Sequence, residues 1–175
     1  FKDTNGENIL DKFYKDQTKW SFPFQMNAFI SRINSIERDK SQIKIIERSV
    51  YTDRHCFAAN CLESGVMSRI EYDIYCHWHD WLAKSFDVEP DGFIYLKANS
   101  SICEDRIKQR ARTEEEHIPL DCLQNLHLKH EDWMMVTDKP VLEIDANLDY
   151  KNDSDNIATV CKQVEYFIDA ISKSK

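Results

Sequence analysis

The chain has 175 residues, of which 42% are hydrophobic and 31% charged, and its formal net charge is −8. This length supports one domain with its own core, and the composition is that of a globular rather than a disordered protein. The negative charge argues against broad binding to nucleic acid or to an anionic membrane surface, because phosphate groups attract basic surfaces. It is compatible with a local basic pocket for a small phosphate ligand. The sequence contains no apolar run of the roughly 20 residues that a transmembrane helix needs.

The six cysteines form no C-x-x-C pair and no dense cluster. They are Cys56, Cys61, Cys76, Cys103, Cys122 and Cys161. Disulfide-stabilised secreted domains usually space their cysteines more densely than this. We therefore expect reduced, mostly buried thiols in an intracellular protein, located in the cytoplasm or in mitochondria.

The first amphipathic segment predicts a helix that begins near Phe22, with Ser21 as its N-cap and Pro23 in its first turn. Apolar residues recur there at helical spacing and predict one buried face: Phe22, Met26, Phe29, Ile30, Ile33 and Ile36. A different face of the same helix carries Phe24, Gln25, Ala28 and Arg32. The helix therefore presents a buried face and a face with side chains suited to binding a ligand.

Three short apolar strands are predicted in the rest of the chain, at residues 43–46, 92–98 and 140–146. Long helices alternate with them. One runs from about 70 to 86, one opens with a capping box formed by Ser101 and Glu104, and one begins near Asp155. The stripe predicted to be apolar on the first of these helices comprises Ile70, Ile74, Tyr75, Trp78, Trp81 and Leu82. The residues predicted to be buried on the last one are Ile157, Val160, Cys161, Val164, Phe167, Ile168 and Ile171.

This alternation predicts an α/β fold in which helices flank a largely parallel sheet. We find no internal repeat and no low-complexity linker, so we expect a single domain over residues 1–175. In such folds ligands bind beyond the carboxyl ends of the strands. The first predicted strand runs directly into Glu47 and Arg48, and Asp53 and Arg54 follow within two helical turns. The sequence therefore predicts a functional site after residue 46.

A second cluster of charges lies in the sequence RIKQRARTEEEHIP, from 106 to 119. Arg106 and Arg110 share a helix face, and Arg112 extends the group. Guanidinium groups match the geometry of phosphate oxygens, so the cluster could be a lid that closes over phosphates. Glu114 to Glu116 follow at once and could partly neutralise it, which leaves a solvated helix end as the alternative.

Several long motifs resemble the deoxyribonucleoside kinases, and most closely their deoxycytidine and deoxyguanosine kinase branch. In chain order they are NGENILDKFYKDQTKWSFPFQMNAFISR, ERSVYTDRHCFA, YDIYCHWHDWL, FIYLKANSSICEDRIKQRARTEEEHIPLDCLQNLHLKHEDW and DANLDY. The resemblance covers nearly the whole chain. It implies a P-loop kinase-like fold and an enzyme that transfers the γ-phosphoryl group of ATP or another nucleoside triphosphate to the 5′-hydroxyl of a deoxyribonucleoside, with Mg²⁺. It also implies a homodimer that pairs through helices.

The resemblance also implies a role for individual residues. Glu47 and Arg48 match the catalytic Glu-Arg-Ser motif, in which the glutamate serves the metal or accepts the proton. The implied nucleoside-binding residues are Tyr14, Phe24, Gln25, Ala28, Arg32, Arg48, Asp53, Phe57 and Glu115. The implied donor-binding residues are Arg106, Arg110, Arg112, Leu148, Asp149 and Tyr150.

Within the nucleoside set, the resemblance implies that Tyr14 and Glu115 hold the sugar 3′-hydroxyl. It implies that Gln25 and Asp53 bind the edge of the base, and that Phe24 and Phe57 stack on it. These assignments are chemically reasonable. An amide supplies both a donor and an acceptor to a base edge, and aromatic rings stack on any base.

The chain departs from the family at the phosphate loop. The sequence contains no G-x-x-x-x-G-K-[ST] motif and only three glycines, Gly6, Gly65 and Gly92, and the family's first strand is also absent. The chain starts at Phe1 with neither an initiator Met nor a signal peptide. We therefore expect the 175 residues to be part of a longer kinase and to be inactive alone. A shortened, non-catalytic homologue that keeps the scaffold as an interaction protein is the alternative.

In the family that the chain resembles, three positions separate the enzymes for cytosine and purine nucleosides from those for thymidine, and here they are Ala28, Arg32 and Asp53. Asp53 can pair with Arg32 and hold its guanidinium over the base edge. An ionised carboxylate only accepts hydrogen bonds, so it favours a base that presents an exocyclic amine. We therefore expect deoxycytidine and purine deoxyribonucleosides to be preferred over thymidine.

Overall fold

The computed structural model describes residues 6–115, 118–148, 150 and 154–173. Two parallel strands and a set of long helices make up most of this part of the chain. The α/β class predicted from the alternating pattern is thereby confirmed. Of the residues with predicted roles, Asp149 lies outside the described residues.

The chain opens with two consecutive helices, α1 (Ile9–Lys15) and α2 (Gln17–Arg38). Asp16 caps α2, because its carboxylate accepts the backbone N–H of Lys19 at 3.1 Å. The predicted start near Phe22 was therefore wrong by more than one turn. Ser21 is not a cap: it is buried inside α2, where its hydroxyl donates to the backbone carbonyl of Val66 at 2.7 Å.

The segment after α2 is irregular, and the strand predicted at 43–46 is wrong. Residues 41–48 are all exposed, and Ile45 keeps 68% of its surface accessible. A strand requires a neighbour that satisfies its backbone N–H and C=O groups. In the described part of the chain the two paired strands come later in the sequence, and neither pairs with this segment.

A run of helical turns follows, and it carries much of the predicted site. It comprises α3 (Val50–Thr52), a π-helix (Asp53–Ala58), α4 (Ala59–Glu63) and α5 (Arg69–Ser85). A capping box of Ser68 and Glu71 starts α5, within one residue of the predicted boundary. These turns and α2 enclose a core made of Phe29, Ile33, Ile36, Val50, Ala58, Tyr75 and Val88.

Much of the apolar stripe predicted for α5 does not face this core. Tyr75 is fully buried. The exposed apolar members of the stripe are Ile70, Ile74, Trp78 and Trp81, and the two indole rings meet edge to face at 5.7 Å. The two tryptophans of the predicted stripe therefore lie at the surface rather than in this core.

The second half of the chain contains both strands. Its elements are β1 (Phe93–Lys97), α6 (Ser100–Arg110), a 3₁₀ turn (Thr113–Glu115), α7 (Leu120–Val136), β2 (Val141–Asp145) and α8 (Ser154–Lys173). The strands pair in parallel, with Phe93 opposite Val141 and Lys97 opposite Asp145. Gly92, just before β1, allows close approach of α8, since a Cβ there would lie 2.6 Å from the Ile171 side chain.

Two details of these helices differ from the prediction. Asn99, not Ser101, is the N-cap of α6, so the predicted capping box does not form there. Glu104 instead pairs with Lys108, one turn further on. In α8, Ile157 and Cys161 are exposed, although the helical spacing predicted both to be buried.

Two further sequence expectations concern the cysteines and the membrane. All six cysteines are free thiols, but only Cys56 and Cys61 are fully buried. Among the described residues, no helix combines the length and the apolar character that crossing a bilayer requires.

Candidate active site

The π-helix places Asp53 against Arg32 of α2. Ser49 and Thr52 cap α3 reciprocally, and the chain passes directly into the wider π turn. Arg32 binds both carboxylate oxygens of Asp53, with Nε to Oδ2 at 2.8 Å and Nη2 to Oδ1 at 3.1 Å. Asp53 is only 2% exposed. The ion pair predicted from the sequence is therefore confirmed, in the bidentate geometry that favours such pairs.

Arg32 also ties this pair to the segment that contains Glu47 and Arg48. Its Nη1 donates to the backbone carbonyl of Glu47. Arg48 adopts a positive φ of 62°, a conformation that non-glycine residues rarely adopt, and its guanidinium lies over the ring of Phe57 at 4.3 Å. Such backbone strain persists where surrounding contacts enforce it, and it is common at functional sites. The structure thus links the predicted catalytic residues to the predicted base-binding residues.

A cavity of about 590 Å³ lies between α2 and the irregular segment. Its lining includes three of the predicted site residues, Ala28, Arg32 and Glu47. The rest of the lining is Ser31, Ser35, Ile36, Asp39, Ile45 and Ile46. It is an open cleft with a mixed polar and apolar lining, and its volume lies in the range of small-molecule sites.

The predicted base-binding residues of α2 have neighbours that the sequence did not suggest. Gln25 is buried, and its Nε2 donates to the sulfur of Cys61 at 3.7 Å. Phe24 stacks on Phe13, with ring centroids 4.7 Å apart. The sequence carries no signal for either contact, because each joins residues of two different helices.

The carboxylate of Glu115 lies close enough to Tyr14, the other member of the predicted sugar-binding pair, to affect its phenol. Burial raises the pKa of the Tyr14 phenol, and the nearby carboxylate of Glu115 raises it further. Glu115 is itself 7% exposed. An acceptor carboxylate beside a protonated phenol can bind a hydroxyl group from two sides.

The arginine cluster is divided between two partners. Arg110 and Arg112 both bind Glu115, with Nε of Arg110 at 3.1 Å from Oε2 and Nη1 of Arg112 at 3.3 Å from Oε1. Arg106 reaches the other predicted donor-binding loop, where its Nη2 donates to the carbonyl of Leu148 at 3.2 Å. Tyr150 in that loop donates its hydroxyl to the carbonyl of Asp145. The predicted neutralisation by the following glutamates is thus confirmed for Glu115.

A magnesium ion would have one candidate protein ligand here, Glu47. The described residues contain no group of three or more His, Cys, Asp or Glu side chains placed to hold a metal. Mg²⁺ in phosphoryl-transfer sites is commonly held by one or two carboxylates together with substrate phosphates and water. An exposed glutamate at the cavity edge fits that pattern.

Comparison with known proteins identifies the family of the chain. A family model described as deoxynucleoside kinase matches residues 1–169. The chain is 37% identical to deoxycytidine kinase 2 of Gallus gallus over 187 residues, which covers 95% of this chain and 68% of that protein. It is 37% identical to the deoxycytidine kinase of Homo sapiens over 179 residues, covering 91% and 69%. It is 31% identical to the mitochondrial thymidine kinase 2 of Homo sapiens over 153 residues, covering 84% and 58%. The chain belongs to the deoxynucleoside kinase family.

Proposed function

We propose that this chain provides the nucleoside pocket, catalytic glutamate and lid of a kinase. The enzyme transfers the γ-phosphoryl group of a nucleoside triphosphate to the 5′-hydroxyl of a deoxyribonucleoside. The observation that carries the proposal is the buried Arg32–Asp53 pair, which is bound to the backbone of Glu47 at the edge of the cavity. This contact connects the residues proposed to recognise the base with the residue proposed to act on the 5′-hydroxyl.

The reaction assigns distinct roles to the side chains. Gln25 and the Arg32–Asp53 pair bind the base edge, and Tyr14 and Glu115 bind the sugar. Glu47 accepts the proton of the 5′-hydroxyl or binds Mg²⁺, which neutralises phosphate charge when bound. Phosphoryl transfer requires little beyond positioning and charge stabilisation, so a set of fixed polar groups suffices.

Transfer also requires a cradle for the β- and γ-phosphates, normally formed by the backbone N–H groups and lysine of a phosphate loop. The 175 residues contain no such motif. We therefore propose that these 175 residues form a single domain that can bind a nucleoside by itself. Phosphate transfer requires a phosphate loop in addition. The free thiols favour a reducing intracellular compartment. If a protein with such a loop shows nucleoside binding but no transfer to any deoxyribonucleoside, a non-catalytic role is the better account.

The ion pairs of the lid lead to one prediction. Arg110 is half exposed, so its pair with Glu115 is worth about 0–1 kcal/mol and a phosphate can displace it. Arg110→Ala should raise the activation free energy, measured through kcat/KM for the triphosphate, by roughly 2–4 kcal/mol. Nucleoside affinity, measured by calorimetry, should change far less. Arg38→Ala, at the end of α2, is the control. Unchanged donor kinetics in Arg110→Ala would contradict the lid and support the alternative of a solvated helix end.

The exposed face of α5 leads to a prediction about assembly. Ile70, Ile74, Trp78 and Trp81 form a larger apolar surface than isolated side chains do, and such patches commonly mark protein interfaces. We expect a homodimer at micromolar concentration and a monomer after Trp78→Asp, as measured by sedimentation. Tyr166→Asp, which changes an exposed aromatic residue of α8, should leave the dimer intact. A monomeric unsubstituted protein would contradict this assignment.

A further inference from the structure

A buried histidine of α5 lies behind the base-binding residues. His79 is 1% exposed, and its Nδ1 is 3.2 Å from Nη1 of Arg54 and 3.6 Å from Oδ1 of Asp80. Arg54 also donates to that same Asp80 oxygen. Arg54 is the second residue of the π-helix and directly follows Asp53. The three side chains therefore connect α5 to the turn that presents the Asp53 carboxylate.

The ring of His79 contacts two further elements of the pocket. It stacks on Phe29 of α2, with centroids 5.3 Å apart and planes 23° apart, and it meets Tyr51 of α3 edge to face at 5.4 Å. Phe29 lies four residues after Gln25 and three before Arg32, so it shares their stretch of α2. His79 is thus in contact with α2, α3 and the π-helix together.

The charge state of the cluster is set by burial. Desolvation, reinforced by the positive charge of Arg54, lowers the pKa of His79 to about 4. The ring is therefore neutral near pH 7, and its Nδ1 accepts the hydrogen bond from Arg54. This assigns the proton to Nε2, and a hydrogen bond with the backbone of Val50 partly opposes the fall in pKa.

We propose that Arg54, His79 and Asp80 form a positioning cluster that fixes the π-helix and thereby the direction of the Asp53 carboxylate toward the base. π turns are rare and need external contacts, and they recur at functional sites. Arg32 holds the side chain of Asp53, whereas the cluster holds Asp53 through Arg54, the next residue in the chain. Errors of about 1 Å in such a group can change function by up to 10²-fold. The inference rests on the proposed nucleoside site and adds three residues to its support.

Substitutions in the ion pair test the cluster, because Asp80 is half exposed and Asp80→Asn should fold. Calorimetry on the 175-residue chain measures the dissociation constants of deoxycytidine and thymidine. Arg54→Gln and Asp80→Asn should each weaken deoxycytidine binding about tenfold and reduce its preference over thymidine. The double variant should lose little more than either single one, and Arg54→Lys should restore part of the preference. The control is Asp73→Asn, which breaks the exposed Arg69–Asp73 pair of the same helix and should change neither constant.

Hydrogen–deuterium exchange supplies a readout that does not depend on ligand. Backbone exchange across the π-helix Asp53–Ala58 should be faster in Asp80→Asn than in Asp73→Asn, at matched melting temperature. The inference would be overturned if exchange across the π-helix were no faster in Asp80→Asn than in Asp73→Asn. It would also be overturned if Arg54→Gln left the preference for deoxycytidine unchanged. Failure of the unsubstituted chain to bind any deoxyribonucleoside would instead contradict the proposed function, and exchange would still decide whether the cluster fixes the turn.

Discussion

Glu47→Gln should lower kcat by about 10²–10⁴-fold in a protein that carries this chain together with a phosphate loop. The affinity for nucleoside should stay within several-fold, because the charge of Glu47 acts on the reacting hydroxyl and the metal rather than on the bound base. The structure supports this separation. Glu47 contacts Arg32 through its backbone carbonyl, which the substitution preserves. Single-turnover kinetics and calorimetry measure the two quantities independently.

The matched control is Glu37→Gln, since Glu37 is an exposed glutamate near the end of α2. It should leave both kcat and nucleoside affinity unchanged. A Glu47→Gln protein with normal kcat and lost binding would contradict the catalytic role and make Glu47 a nucleoside ligand.

Arg32→Met should lower the free energy of unfolding by about 3–5 kcal/mol, because it leaves the Asp53 carboxylate buried without its partner. Asp53→Ala added to Arg32→Met should recover most of that loss, since no unpaired charge then remains. Urea unfolding of the two single variants and the double variant measures the coupling directly. Arg69→Met is the control, because it breaks an exposed pair with the same residue types and should leave the free energy of unfolding nearly unchanged.

The same pair carries the prediction for specificity. The triple variant Ala28→Val, Arg32→Met, Asp53→Ala should move activity toward thymidine, because it removes the acceptor that an exocyclic amine requires. For the stability prediction, equal destabilisation by Arg32→Met and Arg69→Met would be the contradicting result, because the buried pair would then contribute no more than the exposed pair. An unchanged nucleoside ranking in the triple variant would show that another residue selects the base.

The sequence predicted those elements that carry a clear signal in their own residues. The helix Arg69–Ser85 has its own capping box, and the strands Phe93–Lys97 and Val141–Asp145 are short apolar runs between helices. The strand predicted at 43–46 failed because pairing depends on a neighbour, which the composition of one segment does not reveal. Periodicity likewise identified the apolar stripe that includes Trp78 and Trp81, but it could not show which part of the stripe the chain itself covers.

In the candidate site, too, the sequence predicted some contacts from the chemistry of the residues and missed others that depend on tertiary packing. Arg32 and Asp53 were predicted to pair because their chemistry is complementary, and the position of Glu115 beside the arginines suggested neutralisation. The contact between Gln25 and Cys61 joins residues 36 positions apart and depends on how α4 packs against α2. The positive φ of Arg48 is likewise a property of the folded chain.

The central claim is tested most directly by kcat/KM for deoxycytidine, deoxyadenosine, deoxyguanosine and thymidine, measured with a triphosphate donor on a protein that carries this chain and a phosphate loop. The buried Arg32–Asp53 pair predicts that deoxycytidine or a purine deoxyribonucleoside is the best substrate and that thymidine is disfavoured by about 5–150-fold, which corresponds to the roughly 1–3 kcal/mol cost of a mismatched buried polar group. Thymidine as the best substrate would contradict the account of the base pocket, and transfer to none of the four would contradict the proposed activity.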